Sequence, residues 1–322
     1  MNEIRKVPFG AGAEWLLGGI ALLRKAPLAL GLLGVIWGGV SAIASVSGQL
    51  WLSLLLALAG PVLFGGIIYA TREVDQGRNA SPAHLIQGVQ DGKLLRLLAM
   101  LLPQVAALLL MGLLMVVIVG PEELQHLNQV LLQMQTNPDP ALVESLPAGR
   151  LMLWLAAVMV VGVVTGFFTF AAIPEVMFTD RGAFAAMALS FRACLRNIGA
   201  LLVMIVLMLI AVFALSLALQ LLGALLAFAI GAPAAMFVVQ LLLMALLLPV
   251  MAGAVYLAWR QLLGDAPAMA MPAHGFEGLR NRMTEFRPRG RAVAPCGTSR
   301  GNQRGGRDGR RIQGLSSWGG MQ

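Results

Sequence analysis

Long apolar runs alternate with short polar segments along the chain, and the length of each run is the first clue to its role. Residues 26–71 carry no Asp, Glu, Lys or Arg over 46 positions, whereas one bilayer crossing needs only about 20 apolar residues. This run is read as two crossings divided by Ser45-Val46-Ser47-Gly48-Gln49. Residues 97–120 and 151–174 are single-crossing runs, and residues 197–259 stay uncharged for 63 positions, enough for two or three crossings. Gly223, Gly231 and Pro233 are the available breaks in that last run. The pattern predicts an all-α polytopic membrane protein with six spans, at about 28–46, 50–70, 97–119, 151–173, 198–222 and 234–259.

Each odd-numbered span is preceded by a segment whose spacing suits a helix on the membrane surface. In 182–196, Phe184, Met187, Ala188, Phe191 and Leu195 follow helical periodicity, with Arg192 and Arg196 four apart on another face. A second segment begins at Ser81-Pro82, an N-cap followed by proline at the first helical position. It sets Leu85, Ile86 and Val89 against His84, Gln87 and Gln90. A third covers residues 14–25. The expected architecture is therefore three hairpins, each introduced by a cytoplasmic surface helix.

Charge decides between six spans and seven. Lys and Arg concentrate beside cytoplasmic helix ends. They cluster here at Arg5, Lys6, Arg24 and Lys25, at Arg72, Arg78, Lys93 and Arg96, at Arg181, Arg192 and Arg196, and from Arg260 onward. The alternate connectors hold only Arg150, beside Glu122, Glu123, Asp139 and Glu144. Six spans place 22 of 23 basic residues on the cytoplasmic side; a seventh would export Arg260 and the ten arginines after it. The expected location is the inner membrane of a bacterium, with both termini cytoplasmic. Trp51 and Trp154 at outer helix ends, and Tyr69, Tyr256 and Trp259 at inner ends, fit an interfacial aromatic belt, with Trp37 inside the first span as the exception. Ala42-Ile43-Ala44 has the form of a signal-peptidase site, but the long leader favours an uncleaved first span.

Two sequence echoes raise the question of internal duplication. Pro61-Val62-x-x-Gly65-x-x-x-x-Ala70-x-Arg72 near the end of the second span matches Pro249-Val250-x-x-Gly253-x-x-x-x-Ala258-x-Arg260 near the end of the sixth. Ala21-x-Leu23-Arg24 matches Ala193-x-Leu195-Arg196. Repeats are frequent in transporter folds, while chance identity among Ala, Gly and Val is the competing explanation. Gly34-x-x-x-Gly38 and Gly162-x-x-x-Gly166 have the spacing that permits close helix contact. Packing inside the monomer is the first use for them, and homo-oligomerisation the second.

The outer connector 121–150 opens with Gly120-Pro121-Glu122-Glu123, a helix start with acids at the positive end of the dipole. Leu124, Leu127, Leu131 and Met134 form a stripe ending at Asn137-Pro138-Asp139-Pro140. A helix lying on the outer leaflet or capping the bundle is preferred over a ligand-binding lid.

Candidate chemistry is sparse. The six expected spans contain no Asp, Glu, Lys, Arg or His, which argues against proton relays, coupling-ion sites and voltage sensing. Their polar residues are Ser53, Gln104, Thr165, Thr169, Ser216, Gln220 and Gln240, with Asn197 at an inner boundary. Pro103-Gln104 is the best candidate for a functional helix break. Cys194 and Cys296 are unaccompanied, and His84, His126 and His274 lie in different segments, so neither a disulfide nor a metal site is expected. No cofactor is implied. At the cytoplasmic boundary, Glu73, Asp75, Glu175 and Asp180 share a level with Arg72, Arg181, Arg192 and Arg196. Ion pairs among them are expected to tie the three units together, with Glu175 pairing with Arg192 or Arg196.

Composition sharpens this picture at one place. The chain is 58% hydrophobic and 12% charged with a formal net charge of +8, but residues 265–322 hold ten Arg, eleven Gly and four Pro and carry most of that charge. This tail is expected to be a disordered cytoplasmic extension. Arginine-glycine text can bind anionic lipid or, weakly, nucleic acid, and the same text arises when a GC-rich gene is read out of frame.

Val7-Pro8-x-Gly10-x-Gly12-x-x-Trp15-Leu16-x-Gly18 followed by Ala26-Pro27-Leu28 resembles the opening of a group of bacterial six-helix inner-membrane proteins, a domain of unknown function. The run Pro174-x-Val176, Asp180-Arg181-Gly182, Ala188-Leu189-Ser190-Phe191 and Asn197 is similar to that group's segment before the fifth helix. The resemblance spans about 1–264 and implies an integral membrane fold, distantly similar to the membrane domain of glycerophosphodiester phosphodiesterases but without their catalytic domain. It transfers no functional residue, and the Arg/Gly tail departs from the group's pattern. The expected function is a non-enzymatic scaffold or accessory factor in envelope or lipid homeostasis, with membrane lipids as partners. The alternative is a small permease or channel for an uncharged or amphiphilic solute, which a continuous polar path through Gln104, Thr165, Gln220 and Gln240 would favour.

Overall fold

The computed structural model describes residues 4–136 and 146–264. The expected tail, the Asn137–Pro140 turn and Cys296 lie outside them. The described residues form α-helices and short 3-10 turns and include no strand, and six of their helical segments are long and apolar enough to cross a membrane. The all-α polytopic class is thus the observed one.

The first unit is α1 (Ala11–Lys25), α2 (Pro27–Ser47) and α3 (Leu50–Asp75). Pro27 at the start of α2 forgoes an N–H that no helix would have used. Gly48 ends α2 with φ 63°, the left-handed conformation that glycine adopts most easily. The second unit opens with a 3-10 turn (Pro82–Ile86), α4 (Gln87–Gln90) and α5 (Leu94–Leu98), not with one surface helix. Ser81 caps the turn as expected, accepting from Ala83 N at 3.4 Å, while His84 Nδ1 accepts from Ser81 N at 3.2 Å. Gly92 at φ 69° then breaks the run.

A second 3-10 turn (Ala99–Leu101) joins α5 to α6 (Leu102–Ile118). This break sits where Pro103 withholds the N–H that Ala99 O would otherwise accept, so the expected Pro103 break is present one turn upstream of the proline. The return limb is α8 (Ala148–Thr169) and α9 (Ala172–Phe178), interrupted at Phe170 and Ala171, four and three residues before Pro174. Between α6 and α8 runs α7 (Pro121–Thr136), whose buried position is Val130; Leu131 of the expected apolar stripe is 52% exposed. The third unit is α10 (Ala183–Arg196), α11 (Ile198–Ile230) and α12 (Ala232–Leu262). Its outer connector is Gly231 alone, at φ 83°, not the expected 223–233: Gly223 stays helical and packs toward Val239. At about 1.5 Å per residue, the 33-residue α11 extends for roughly 50 Å, well beyond an apolar core of about 30 Å.

The introductory segments pack in a closed order. The Pro82–Gln90 segment lies on α3, the second span of the first hairpin, and α10 lies on α8 and α9, the second limb of the second hairpin. Completing the cycle, α1 lies on α12, the second span of the third. Each introductory segment therefore grips the hairpin before its own.

Two of these contacts need glycine because backbones meet. A side chain at Gly19 would lie 2.5 Å from Val250 O, and one at Gly66 2.4 Å from His84 O. Gly34 and Gly38 likewise face Met244 of α12, so this motif packs within the chain. Gly162 and Gly166 meet nothing within 4 Å.

Candidate functional site

The basic ends of the three second limbs converge, and the chemistry of the described residues is concentrated there. Phe178 ends α9 between Tyr69 of α3 and Tyr256 and Trp259 of α12, with ring centroids 6.5, 6.0 and 5.0 Å away. Arg72 lies over the Phe178 ring at 4.7 Å, and Arg260 over Tyr256 at 5.5 Å. Both arginines occupy the last position of the duplicated motif, and both face an aromatic ring of this hub. Tyr69, Tyr256 and Trp259, expected in an interfacial belt, pack here around Phe178. Tyr256 OH and Trp259 Nε1 each need an acceptor when buried, and they find one in a carboxylate.

Those carboxylates are Asp75 and Glu175. Asp75 accepts from Tyr256 OH at 3.1 Å and from Arg260, linking the first hairpin to the third. Glu175 is fully buried. Its Oε2 accepts from Trp259 Nε1 at 2.7 Å, and its Oε1 from Arg181 Nε at 2.9 Å and Thr179 Oγ1 at 3.4 Å. The expected partner, Arg192 or Arg196, is not the observed one. Arg181 lies six residues on, after α9 ends at Phe178, and the turn returns its side chain to the carboxylate. Of the residues expected to form ion pairs between units, Glu175 and Arg181 pair within the second unit; the ties between units are instead the Asp75–Arg260 ion pair and the Trp259–Glu175 hydrogen bond. Around the hub, Glu73 pairs with Arg78, Lys93 Nζ donates to Met177 O at 2.8 Å, and Arg96 donates to Asp180 O at 3.0 Å.

Two further buried polar residues act as staples. Asn197, singled out from the sequence, accepts from Val7 N at 2.8 Å and donates to Arg5 O and Ala193 O at 3.0 Å. It fastens the leader to the junction of α10 and α11. Ser190 escaped sequence reasoning. It accepts from Ala171 N at 2.9 Å and donates to Phe167 O at 2.7 Å, satisfying two backbone groups at the α8–α9 break. The signal was a hydroxyl on the inward, apolar face of an amphipathic helix. Cys194, one turn away, is buried, and burial pushes its thiol up to about 12.

Separate from the hub residues, a cleft of about 400 Å³ lies among the spanning helices. Trp37 and Pro61 line it from the first hairpin, Gln104, Gly166 and Thr169 from the second, and Val255 from the third. Gln104 is exposed at this cleft. The other candidate polar positions do not join it in a path: Thr165 bonds its own helix at Val161 O, and Gln220 and Gln240 are exposed on α11 and α12. Arg192 and Arg196 lie exposed on α10, away from Glu175's partners. Among the described residues no group of three or more metal-ligating side chains comes together. Comparison with protein families, with curated proteins and with solved structures gives no match.

Proposed function

We propose that this six-span membrane protein is a non-enzymatic scaffold or accessory factor in envelope or lipid homeostasis. We place it in a bacterial inner membrane with both termini cytoplasmic, and as a member of the six-helix group its opening motif resembles. One observation carries the reading: the buried polar chemistry is spent internally. Both Glu175 oxygens, Asp75, Ser190 and Asn197 are engaged by the chain's own donors and acceptors, and no buried side-chain polar atom among the described residues lacks a partner. Such an arrangement uses these groups to hold helices together, which supports a scaffold role. Deleting the gene is expected to alter envelope lipid composition or solute sensitivity, with rescue by the intact chain. A deletion strain matching its parent in both would overturn the proposal. Reporter fusions after Gln90 and Arg181 test orientation, and a periplasmic signal at Arg181 contradicts it.

A second reading, a small permease for an uncharged or amphiphilic solute, is favoured by the cleft that Gln104 and Thr169 face. It predicts solute flux in proteoliposomes that Gln104→Leu reduces, and the scaffold predicts none.

A further inference from the structure

Charge and apolar surface meet on the outer face of α10 in a way the tertiary hub does not use. Phe184, Ala188, Arg192 and Arg196 are spaced by four, so they form one stripe that winds about 40° per step from the apolar face onto the face of the two arginines, and all four are exposed. The apolar half of the stripe borders a groove of about 430 Å³, completed by Leu102, Pro103 and Ala106 of α6 and Phe168 of α8. The basic half follows within one and two turns. Neither arginine has a carboxylate partner among the described residues: Glu175 is held by Arg181 and Trp259, and Asp180 lies 4.0 Å from Arg96. The platform is held in place, because Phe191 stacks on Phe168 at 4.6 Å and Ser190 binds the α8–α9 break.

We propose that this stripe binds one anionic phospholipid, with an acyl chain in the groove over Ala188 and Phe168 and the phosphate between Arg192 and Arg196. An apolar trough leading into two unpaired guanidinium groups matches an amphiphile with a negative head, and a bilayer supplies that molecule at high local concentration. The site needs only that the six spans lie in a membrane, so it goes beyond the scaffold reading and survives its failure.

Native mass spectrometry of the full chain in detergent, titrated with phosphatidylglycerol or phosphatidylcholine, tests it. The expected result is retention of one phosphatidylglycerol with about tenfold preference over phosphatidylcholine. R192Q/R196Q reduces the preference to near one, each single glutamine variant loses about threefold, and R192K/R196K keeps most of it. Ala188→Trp, which fills the groove, weakens both lipids. The charge-matched R24Q/K25Q, on the exposed end of α1, leaves the preference intact. Equal loss in R24Q/K25Q and R192Q/R196Q, or no preference in the unaltered chain, overturns the site.

Discussion

The second hairpin and the other two are built from similar apolar text and are held by different physics. In the first hairpin, 28% and 33% of the two spanning windows are buried inside the protein; in the second the figure is 6% for both. The first and third hairpins share α12, against which α1, α2, α3 and α11 all pack, with glycine at the closest points. The second hairpin has no such backbone contact at Gly162 or Gly166. Its limbs pack on each other and are anchored at one end by α9, α10 and the aromatic hub. Because lipid tails are as apolar as leucine, hydrophobicity alone does not press helices together in a membrane. Close backbone approach does so in one region, and polar ties at the helix ends do so in the other.

The comparison breaks most sharply at glycine. Gly34→Leu places a side chain where even Cβ would lie 2.4 Å from Met244 O, and a loss of more than about 3 kcal/mol is expected. Gly162→Leu, on an open face, is expected to change stability by less than about 0.5 kcal/mol. Thermal unfolding in detergent distinguishes them, and equal midpoints would refute the difference between the hairpins.

Next in size is Arg181→Ala, which leaves the buried Glu175 carboxylate with Trp259 and Thr179 but without a counter-charge. The expected cost is about 3 kcal/mol. Adding Glu175→Gln removes the stranded charge, so the double variant recovers part of the loss. If the double falls below the single, the pair does not act as described.

Ser190→Ala is a smaller and more local test. It strands Ala171 N and Phe167 O, at a cost of about 1–3 kcal/mol. Faster amide exchange is expected in α8 and α9, with α2, α3 and α12 unchanged. Spread of the effect to α12 would mean that the two regions are not separable. The smallest effect is Trp154→Phe, which removes the bond from Nε1 to Met111 O at 3.2 Å. A loss of about 0.6 kcal/mol is expected, confined to exchange in α6 and α8.

Particular residues show how far sequence reasoning reaches. Asn197 was recognisable as a boundary residue because an amide at a helix junction is conspicuous against apolar surroundings. Glu175 was recognisable as a charge needing a partner, but its partner was not, since Arg181, Arg192 and Arg196 all fall within reach on a linear count. Trp259 and Tyr256 read from the sequence as interfacial anchors, and their bonds to Glu175 and Asp75 were not legible there. Those bonds depend on which way α12 turns, and α12 turns to bring Gly253 onto Gly19.

What the chain alone determines is the number of spans and the place of most breaks, because run length, charge clusters and prolines act over a few neighbouring residues. Breaks precede Pro103 and Pro174, while Pro61 and Pro249 stay inside continuous helices, and Gly231 turns between two apolar runs. Tertiary structure decides the rest. The closed order in which each introductory segment grips the preceding hairpin, the union of Phe178 with rings from two other helices, and the split between a glycine-packed bundle and an end-anchored hairpin join residues far apart in sequence. Apolar text is degenerate for such choices, since leucine and valine suit lipid and protein neighbours alike; small residues and a few buried polar groups select the partner.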